Sequence, residues 1–294
     1  MDDTYSSCGA VRMPEIYWMA ERVPTVRVRA ASSMETGRLF VVATPIGNLE
    51  DMGARAVRVL GAVSVIAAED TRHSRKLLDR FGIATPLTSY HDHNEAEKAD
   101  HLLDALRGGR DVALITDAGT PCIADPGYRI VRAARDAGIA VEAVPGPNAA
   151  IAALSVSGLP TDRFAFHGFF PRKKKDADAA VDRARAFGGT HVFYEAPNRV
   201  GDTLAMLANA APDAEVCVAR ELTKVHEEVL RGAPAELAKR FEDGPPKGEC
   251  VVLVHFAENA GAPADYSDDE IRAAVEDAMS TQSLSRRDAV REVA

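Results

Sequence analysis

The sequence lacks the long hydrophobic runs and the paired cysteines that mark membrane-spanning or disulfide-rich proteins. No apolar run in the 294 residues approaches the roughly 18 residues that a membrane-spanning helix needs. The amino-terminal segment has no continuous apolar stretch, so a secretory signal is not expected. The four cysteines, Cys8, Cys122, Cys217 and Cys250, are scattered and show neither disulfide nor zinc-binding spacing. These absences predict a cytoplasmic protein with reduced thiols, without a membrane segment and without a metal.

The chain also lacks an excess of positive charge and the two common nucleotide-binding motifs. Its formal net charge is -9, which argues against a surface that binds polyanions as a whole. The run Arg172-Lys173-Lys174-Lys175 is a local exception, and such a run is either a solvated loop or a phosphate-binding patch. No G-x-G-x-x-G follows the first predicted strand and no G-x-x-x-x-G-K-[ST] occurs. Both absences disfavour classical NAD binding and P-loop phosphate binding.

Predicted strands and helices alternate along the chain and indicate two α/β domains. Residues 1–37 have no sustained period and are predicted to be a disordered leader. In 38–158, strands rich in Val, Ile and Ala alternate with helices, which predicts a parallel sheet covered on both faces. Residues 159–260 are predicted to form a second α/β domain with a mixed sheet, because several of its strands follow one another closely. Residues 261–294 are predicted to be a small helical segment, truncated at its carboxyl end.

The segment 116–127 is the most informative stretch of the chain. It contains two Gly and two Pro in twelve residues, so its backbone can neither become a helix nor join a sheet ladder. Because the carboxyl ends of parallel strands gather at one edge of a sheet, the loops that follow them form a cleft. Such a cleft suits a ligand with several small polar groups and a cation better than a triphosphate. The other restricted segments that follow predicted strands are Thr44-Pro45-Ile46-Gly47-Asn48, Glu69-Asp70-Thr71-Arg72 and Pro145-Gly146-Pro147-Asn148.

Together these motifs resemble the tetrapyrrole methylase superfamily of S-adenosylmethionine-dependent methyltransferases, and within it the ribosomal RNA small subunit methyltransferase I family. The resemblance runs in order from about residue 38 to residue 257. It implies a two-domain tetrapyrrole-methylase-like fold with S-adenosylmethionine between the domains. It further implies a homodimer that methylates the 2′-hydroxyl of a cytidine in the decoding region of 16S ribosomal RNA. Further matching runs are Tyr90-His91-Asp92-His93-Asn94-Glu95, Tyr194-Glu195-Ala196-Pro197-Asn198-Arg199, Ala219-Arg220-Glu221-Leu222-Thr223-Lys224 and Lys247-Gly248-Glu249.

Two parts of the chain depart from the pattern of that family. The leader before Met34 has no counterpart in it, and the carboxyl-terminal helical segment, which is usually longer, ends at Ala294. If that segment helps to hold RNA, its short length would weaken methylation more than cofactor binding.

The chemistry of methyl transfer to a ribose hydroxyl requires a group that accepts the hydroxyl proton. Asp70, His91 and His93 are the predicted candidates, and Arg72 is predicted to orient them together with Glu69. The alternative for the Glu69–Arg72 segment is a helix cap with a surface ion pair. For the two histidines the alternatives are a solvated turn or a metal site, although a third metal ligand is not evident.

The cofactor is expected between the strand-end segments of the first domain and a wall of the second domain. The second-domain wall is expected to include Tyr194, Glu195, Arg220 and Glu221, and the alternative for these residues is a structural ion-pair network. The basic run is expected to contact RNA phosphates. Two other functions stay open: methylation of a tetrapyrrole or another small acceptor, and a non-catalytic RNA-binding subunit that retains the cofactor. The predicted cofactor-binding residues are Pro45, Gly47, Asp117, Ala118, Gly119, Thr120, Pro121, Asn148, Ala149, Ala150, Tyr194, Glu195, Arg220 and Glu221, and the predicted RNA-binding residues are Arg172, Lys173, Lys174 and Lys175.

Overall fold

The computed structural model describes residues 36–242 and 244–257, together with positions 272, 273, 275, 276, 279 and 285. The predicted leader lies almost entirely outside the described residues, and so does most of the predicted helical segment, with its helices expected at 267–279 and 283–292. Within the described ranges, no helix is both long enough and apolar enough to cross a membrane.

The first half of the described chain contains a five-stranded parallel sheet. Its strands are β1 (Leu39–Val42), β2 (Val65–Ala68), β3 (Leu87–Ser89), β4 (Val112–Ile115) and β5 (Val141–Val144). Their spatial order is β3-β2-β4-β1-β5, and every adjacent pair is parallel. The connecting helices are α1 (Ala54–Ala62), α2 (Thr71–Arg80), α3 (Glu95–Arg107) and α4 (Tyr128–Asp136). The predicted parallel sheet is therefore confirmed.

Both faces of this sheet are buried, and β1 shows why. Side chains along a strand point alternately to opposite faces. Phe40 belongs to a core cluster that contains Leu60 of α1, whereas its neighbour Leu39 belongs to a second cluster that contains Ile130 of α4. Burial of one such large apolar side chain contributes about 1.5–3 kcal/mol. The sheet is thus covered by helices on both sides, as the continuous apolar strands predicted.

The second half contains a mixed five-stranded sheet. After α5 (Ala149–Val156) its elements are β6 (Phe164–Phe169), α6 (Lys174–Phe187), β7 (Gly189–Glu195), α7 (Val200–Ala210), β8 (Glu215–Arg220), β9 (Glu228–Gly232), α8 (Pro234–Arg240) and β10 (Cys250–Phe256). The spatial order is β6-β7-β10-β8-β9. The β6–β7 pair is parallel and the other three pairs are antiparallel. This arrangement confirms the predicted mixed sheet.

Helix α5 joins the two halves of the molecule. Ala150, Ala153 and Leu154 of this helix form one buried cluster with residues of the second sheet, including Val192 and Leu253. The predicted domain boundary after residue 158 follows this helix, and the helix packs on the second sheet. Because the helix begins where β5 ends, this packing brings the strand ends of the first sheet against the second sheet.

Strand β6 contains a bulge. Phe166 pairs with Val192 and Phe169 pairs with Tyr194, so three steps on β6 correspond to two steps on β7. Gly168 takes up the irregularity with a φ of 71°, a left-handed conformation that glycine adopts at little cost.

Candidate active site

A cleft of about 400 Å³ lies between the strand ends of the first sheet and the second sheet. This volume is in the range of small-molecule binding sites. Seven of the predicted cofactor-binding residues line it: Asp117, Ala118, Gly119, Thr120, Ala149, Tyr194 and Glu195. Glu69, which was expected to orient the proton acceptor, also lines it.

Hydrogen bonds connect three strand-end segments on the first-domain side of the cleft. The Thr44 N–H donates to the Gly119 carbonyl at 2.8 Å, and the Gly119 N–H donates to the Thr44 carbonyl at 3.1 Å. The Thr120 hydroxyl donates to the Pro147 carbonyl at 3.0 Å. The segments after β1, β4 and β5 therefore hold one another in place, as the shared sheet edge predicted.

The loop after β4 has an unusual backbone. Gly119, Cys122, Ala124 and Gly127 have φ values of 86°, 71°, 63° and 140°. A non-glycine residue in this region costs of order 1–3 kcal/mol and persists only where its surroundings enforce it. At Gly127 an added Cβ would lie 2.6 Å from the Cys122 Sγ atom, so the loop is also closely packed. Such strain concentrates at ligand-binding sites.

Three carboxyl groups face the first-domain side of the cleft: those of Glu69, Asp117 and Asp125. Burial raises the pKa of Asp117, and the neighbouring Glu69 adds to the effect. Burial raises the pKa of Asp125 to about 6, with further increases from Glu69 and Asp117. The Thr116 hydroxyl donates its one proton to Glu69 Oε2 at 2.6 Å.

This group of carboxyls has two chemical capacities. Together they create a negative potential that stabilises a bound cation in a partly desolvated cleft. A carboxylate with a pKa near 6 is also suited to accept a proton near neutral pH. Asp125 was not singled out from the sequence, although it closes the Gly- and Pro-rich loop. Its burial, which raises the pKa, depends on the tertiary structure.

Asp70 and Arg72 lie next to the cleft but do not line it. Asp70 caps α2, because its Oδ1 accepts hydrogen bonds from the backbone N–H of Arg72 at 2.8 Å and of His73 at 3.3 Å. Both bonds lower the pKa of Asp70, and the bond from the Arg72 N–H has the larger effect. The Arg72 guanidinium is 3.6 Å from Asp70 Oδ2 and its side chain is 91% exposed. Asp70 and Arg72 therefore have the geometry of a helix cap with a surface ion pair, which was the alternative interpretation of this segment.

The cap also contributes to the cleft. The Asp70 backbone N–H donates to Asp117 Oδ1 at 3.1 Å and so positions one of the cleft carboxyls.

His91 and His93 lie on the turn before α3, and neither lines the cleft. Their rings are 6.0 Å apart in an edge-to-face arrangement. The Asn94 amide nitrogen is 3.2 Å from His91 Nε2. Because an amide nitrogen only donates, Nε2 is the acceptor in this contact. His91 Nδ1 is buried and has no hydrogen-bond partner among the described residues.

On the second-domain side, Glu195 fixes part of the cleft wall through its bonds to neighbouring groups. Its side chain is 0% exposed and lies 3.0 Å from the Arg199 guanidinium. Its carboxylate accepts hydrogen bonds from the Ala196 N–H at 2.8 Å and from the Thr203 hydroxyl at 2.6 Å. These partners make Glu195 a structural anchor that fixes the backbone of 195–197 at the cleft. Burial raises the pKa of the neighbouring Tyr194.

Arg220 and Glu221 belong to ion-pair networks beside the cleft. Arg220 Nε donates to Glu228 Oε2 at 2.7 Å. Lys224 Nζ lies 2.7 Å from Glu221 Oε1 and 3.0 Å from Glu249 Oε2. Lys224 lowers the pKa of Glu221, and Glu249 itself lines the cleft.

The remaining predicted cofactor residues adjoin the cleft without lining it. Gly47 contacts the second domain, because an added Cβ would lie 2.5 Å from Lys224 Cγ. Asn148 caps α5, with its Oδ1 accepting the Ile151 N–H at 3.1 Å. Pro45, Pro121 and Ala150 are likewise outside the lining.

The basic run lies at the start of α6, a few residues after the cleft-lining Phe169. All four side chains are exposed, and Lys174 pairs with Asp178 at 2.9 Å. The Arg199 guanidinium donates to the Phe170 and Pro171 carbonyls at 3.3 Å and 3.0 Å. These bonds fix the segment that connects the cleft wall to the run.

The fold and the cleft define a class of protein. The profile of the family Tetrapyrrole (Corrin/Porphyrin) Methylases matches residues 38–238, and the chain belongs to this family of S-adenosylmethionine-dependent methyltransferases. A solved structure of diphthine synthase superposes with a TM-score of 0.58 at 16% identity and covers 75% of this chain and 89% of its own. At that identity the similarity concerns the fold alone.

Within this class the chain belongs to the ribosomal RNA small subunit methyltransferase I family. The family member from Halalkalibacterium halodurans is 47% identical over 220 residues, which are 75% of this chain and 76% of the relative. The member from Pseudomonas aeruginosa is 48% identical over 224 residues, which are 75% and 79% of the two chains. The family, the fold and the S-adenosylmethionine cofactor that the motifs implied are thus confirmed.

Proposed function

We propose that this protein transfers a methyl group from S-adenosylmethionine to the 2′-hydroxyl of a cytidine in the decoding region of 16S ribosomal RNA. The observation that carries the proposal is the identity of 47% over 220 residues to a relative named ribosomal RNA small subunit methyltransferase I. The family profile matches residues 38–238, which include the first-domain wall of the cleft and Phe169, Tyr194 and Glu195 of the second-domain wall. The catalytic chemistry is therefore proposed to take place between the two α/β domains.

The residues of the cleft fit the cofactor. When bound, S-adenosylmethionine supplies an electrophilic methyl group on a positively charged sulfur. The carboxylates of Glu69, Asp117 and Asp125 provide the complementary negative charge. Ala118, Gly119 and Ala149 have small side chains and leave room for the ligand to approach the backbone.

The ribose hydroxyl must lose its proton at or after the attack. We propose Asp125 as the acceptor, because it lines the cleft and its pKa is raised to about 6 by burial. This value lets the group be ionised at neutral pH while it retains affinity for a proton. Asp70, His91 and His93 stay candidates from the sequence. Asp70 Oδ1 is already engaged by the two backbone N–H groups at the start of α2.

The basic run is proposed to hold RNA phosphates. Lys173 is the N-cap residue of α6, and within the described chain its side chain makes no capping hydrogen bond. Cations at a helix amino terminus are disfavoured by the helix dipole, and an anion bound there relieves the conflict. Phosphate groups at Arg172, Lys173, Lys174 and Lys175 would be such anions.

Two further properties belong to the proposal. The acceptor is the small ribosomal subunit or its RNA, and the protein acts in the cytoplasm, where this substrate is found. It acts as a homodimer, as the family resemblance implies.

The test is transfer of labelled methyl groups from S-adenosylmethionine to purified, unmethylated small ribosomal subunits, followed by mapping of the modified nucleotide. Label on the 2′-oxygen of one cytidine in the decoding region is the expected result. Efficient methylation of a porphyrin-type acceptor with none of ribosomal RNA would instead establish the small-molecule alternative. Cofactor binding without transfer to either acceptor would establish the non-catalytic alternative.

A further inference from the structure

The bulge in β6 brings an exposed aromatic ring to the cleft. Phe169 lines the cleft, and 64% of its surface is exposed. Isolated exposed apolar residues are common on protein surfaces. Phe169 differs from these because its position depends on a specific irregularity of the backbone.

The irregularity decides which face of the sheet the ring occupies. In a regular strand, residues three apart point to opposite faces. Phe166 and Phe169 would then face apart, but the bulge pairs them with Val192 and Tyr194, which share a face of β7. An added Cβ at Gly168 meets nothing within 4 Å, so glycine serves the backbone conformation there rather than close packing.

The neighbouring rings support Phe169 from one side. The Phe169 and Tyr194 ring centroids are 5.8 Å apart at 71°, and those of Phe166 and Tyr194 are 4.9 Å apart at 63°. Phe166 and Tyr194 pack on the core between α5 and the second sheet. Phe169 is thus the outermost ring of a supported group of three.

We propose that Phe169 is the surface on which the base of the acceptor nucleotide stacks. Single-stranded RNA can splay a nucleotide out of its stack, which lets the ribose hydroxyl enter a cleft between two domains. Unstacked bases are commonly received by aromatic side chains, which offer a flat apolar face. This inference rests on the proposed function, because it takes RNA to be the acceptor.

The basic run supports RNA as the occupant of this surface. Arg172 follows Phe169 by three positions, and three steps along the chain span at most about 10 Å. That distance lets one ring hold a base while the run contacts phosphates of the same or adjacent nucleotides. The bonds from Arg199 to the intervening carbonyls keep the two surfaces in a fixed relation.

The test compares Phe169→Ala, Phe169→Leu and Phe169→Tyr with the wild type. Loss of one base-stacking contact corresponds to roughly a 5- to 150-fold decrease in kcat/KM. We expect a decrease of this size for Phe169→Ala with unmethylated small subunits, a similar decrease for Phe169→Leu, and near wild-type activity for Phe169→Tyr. Affinity for S-adenosylmethionine, measured by calorimetry, should change less than about twofold, because the ring serves the acceptor. The matched control is Phe164→Ala, an exposed aromatic residue of the same strand that does not line the cleft.

Four outcomes would overturn the inference while leaving the proposed function intact. These are full activity of Phe169→Ala, full activity of Phe169→Leu, an equal loss in Phe164→Ala, and a loss of cofactor affinity in parallel with activity. The last outcome would assign the ring to the cofactor. Failure of the wild type to methylate small subunits would contradict the proposed function itself and is recorded separately in the same assay.

Discussion

The two walls of the cleft differ in charge, in chemical character and in how they are held. The first-domain wall is acidic, with Glu69, Asp117 and Asp125, and its backbone is fixed by bonds between strand-end loops. The second-domain wall carries the rings of Phe169 and Tyr194 and continues into the basic run. Its two carboxylates, Glu195 and Glu249, are paired with Arg199 and Lys224. An acidic wall favours a cation, whereas aromatic rings beside cations favour a nucleotide.

The difference explains how an acidic protein can be proposed to act on a polyanion. The net charge of -9 describes the whole chain, but binding depends on the local potential. Here the carboxylates of Glu69, Asp117 and Asp125 line one side of the cleft, and four cations lie at the start of α6. We infer that the two walls bind the two substrates separately, and that Asp125 of the acidic wall also reaches the acceptor hydroxyl to take its proton. The variants that follow test whether the acidic wall serves the cofactor and the basic run serves the RNA.

The largest effect is expected from Asp125→Asn. Loss of a general base lowers the rate by about 10²–10⁴-fold, and kcat should fall by this amount. In the wild type, kcat should rise with pH through about 6, because Asp125 with a pKa of about 6 accepts a proton only when ionised. This acid limb should disappear in the variant. The measurement is the pH profile of methyl transfer to small subunits.

Asp70→Asn is the comparison variant for that measurement. Asparagine caps a helix as well as aspartate does, so the variant removes the charge and keeps the cap. If the large loss and the altered pH profile occur in Asp70→Asn rather than in Asp125→Asn, then Asp70 is the proton acceptor and the assignment of Asp125 is wrong.

Gly119→Val should abolish most cofactor binding. Gly119 has a φ of 86°, and an added Cβ would lie 3.4 Å from Ile46 Cγ2, so a branched side chain is both strained and directed at the cleft. Strain of 1–3 kcal/mol together with lost ligand volume predicts about a 100-fold weaker affinity by calorimetry. Gly138→Val is the control, because Gly138 has a φ of 71° with open space around it and lies outside the cleft. Unchanged affinity in folded Gly119→Val would contradict the placement of the cofactor.

Replacement of Arg172, Lys173, Lys174 and Lys175 by Ser should weaken RNA binding in a salt-dependent manner. Counterion release predicts that the slope of log affinity against log salt concentration flattens by up to roughly 3 to 4 units. Affinity for S-adenosylmethionine should not change, since cations offer little to a sulfonium. The measurement is a salt titration of small-subunit binding.

The matched control for this variant removes four exposed cations from the helices of the first domain. It changes Arg58, Lys76, Arg80 and Arg107 to Ser, and it has the same net charge as the first variant. Equal slopes for the two variants would show that overall charge, and not the basic run, determines RNA affinity.

The smallest effect is expected on stability, from a drop in pH that acts on a pair of histidines in the second domain. His167 Nε2 and His191 Nδ1 are 2.8 Å apart, and His191 Nε2 lies 3.1 Å from the Gly188 carbonyl. His191 therefore donates to that carbonyl and accepts from His167, so the His191 ring is neutral. Burial lowers the pKa of both, with Arg183 adding to the effect on His167 and Arg163 to that on His191.

Because the unfolded histidines bind protons more readily, stability should fall as the pH drops below their ordinary pKa of about 6.5. We expect the melting temperature to decrease by a few degrees between pH 7 and pH 5. The double variant His167→Gln and His191→Gln should lose part of this dependence. The raised pKa of Asp125 acts in the opposite direction, because its protonation relieves a buried charge as the pH falls through about 6. An identical pH dependence in the double variant would show that the histidine pair does not contribute.

Much of the fold could be predicted from the sequence because its signals are local. The continuous apolar strands indicated a parallel sheet with two buried faces, and the closely spaced late strands indicated a mixed sheet. The Gly- and Pro-rich loops marked the ends of the strands. Seven of the fourteen expected cofactor residues line the cleft, and the others adjoin it.

The sequence by itself determined the order of the elements, the restricted loops and the resemblance to a methyltransferase family, since each depends on residues close together in the chain. Only the tertiary structure decided the role of individual side chains. Asp125 acquires its raised pKa from burial and from the charge of Glu69, which follows a different strand, together with that of Asp117 in its own loop. Phe169 reaches the cleft only because a bulge shifts the register of β6 against β7. Burial and register arise from contacts between distant segments, and a local pattern in one segment does not contain them.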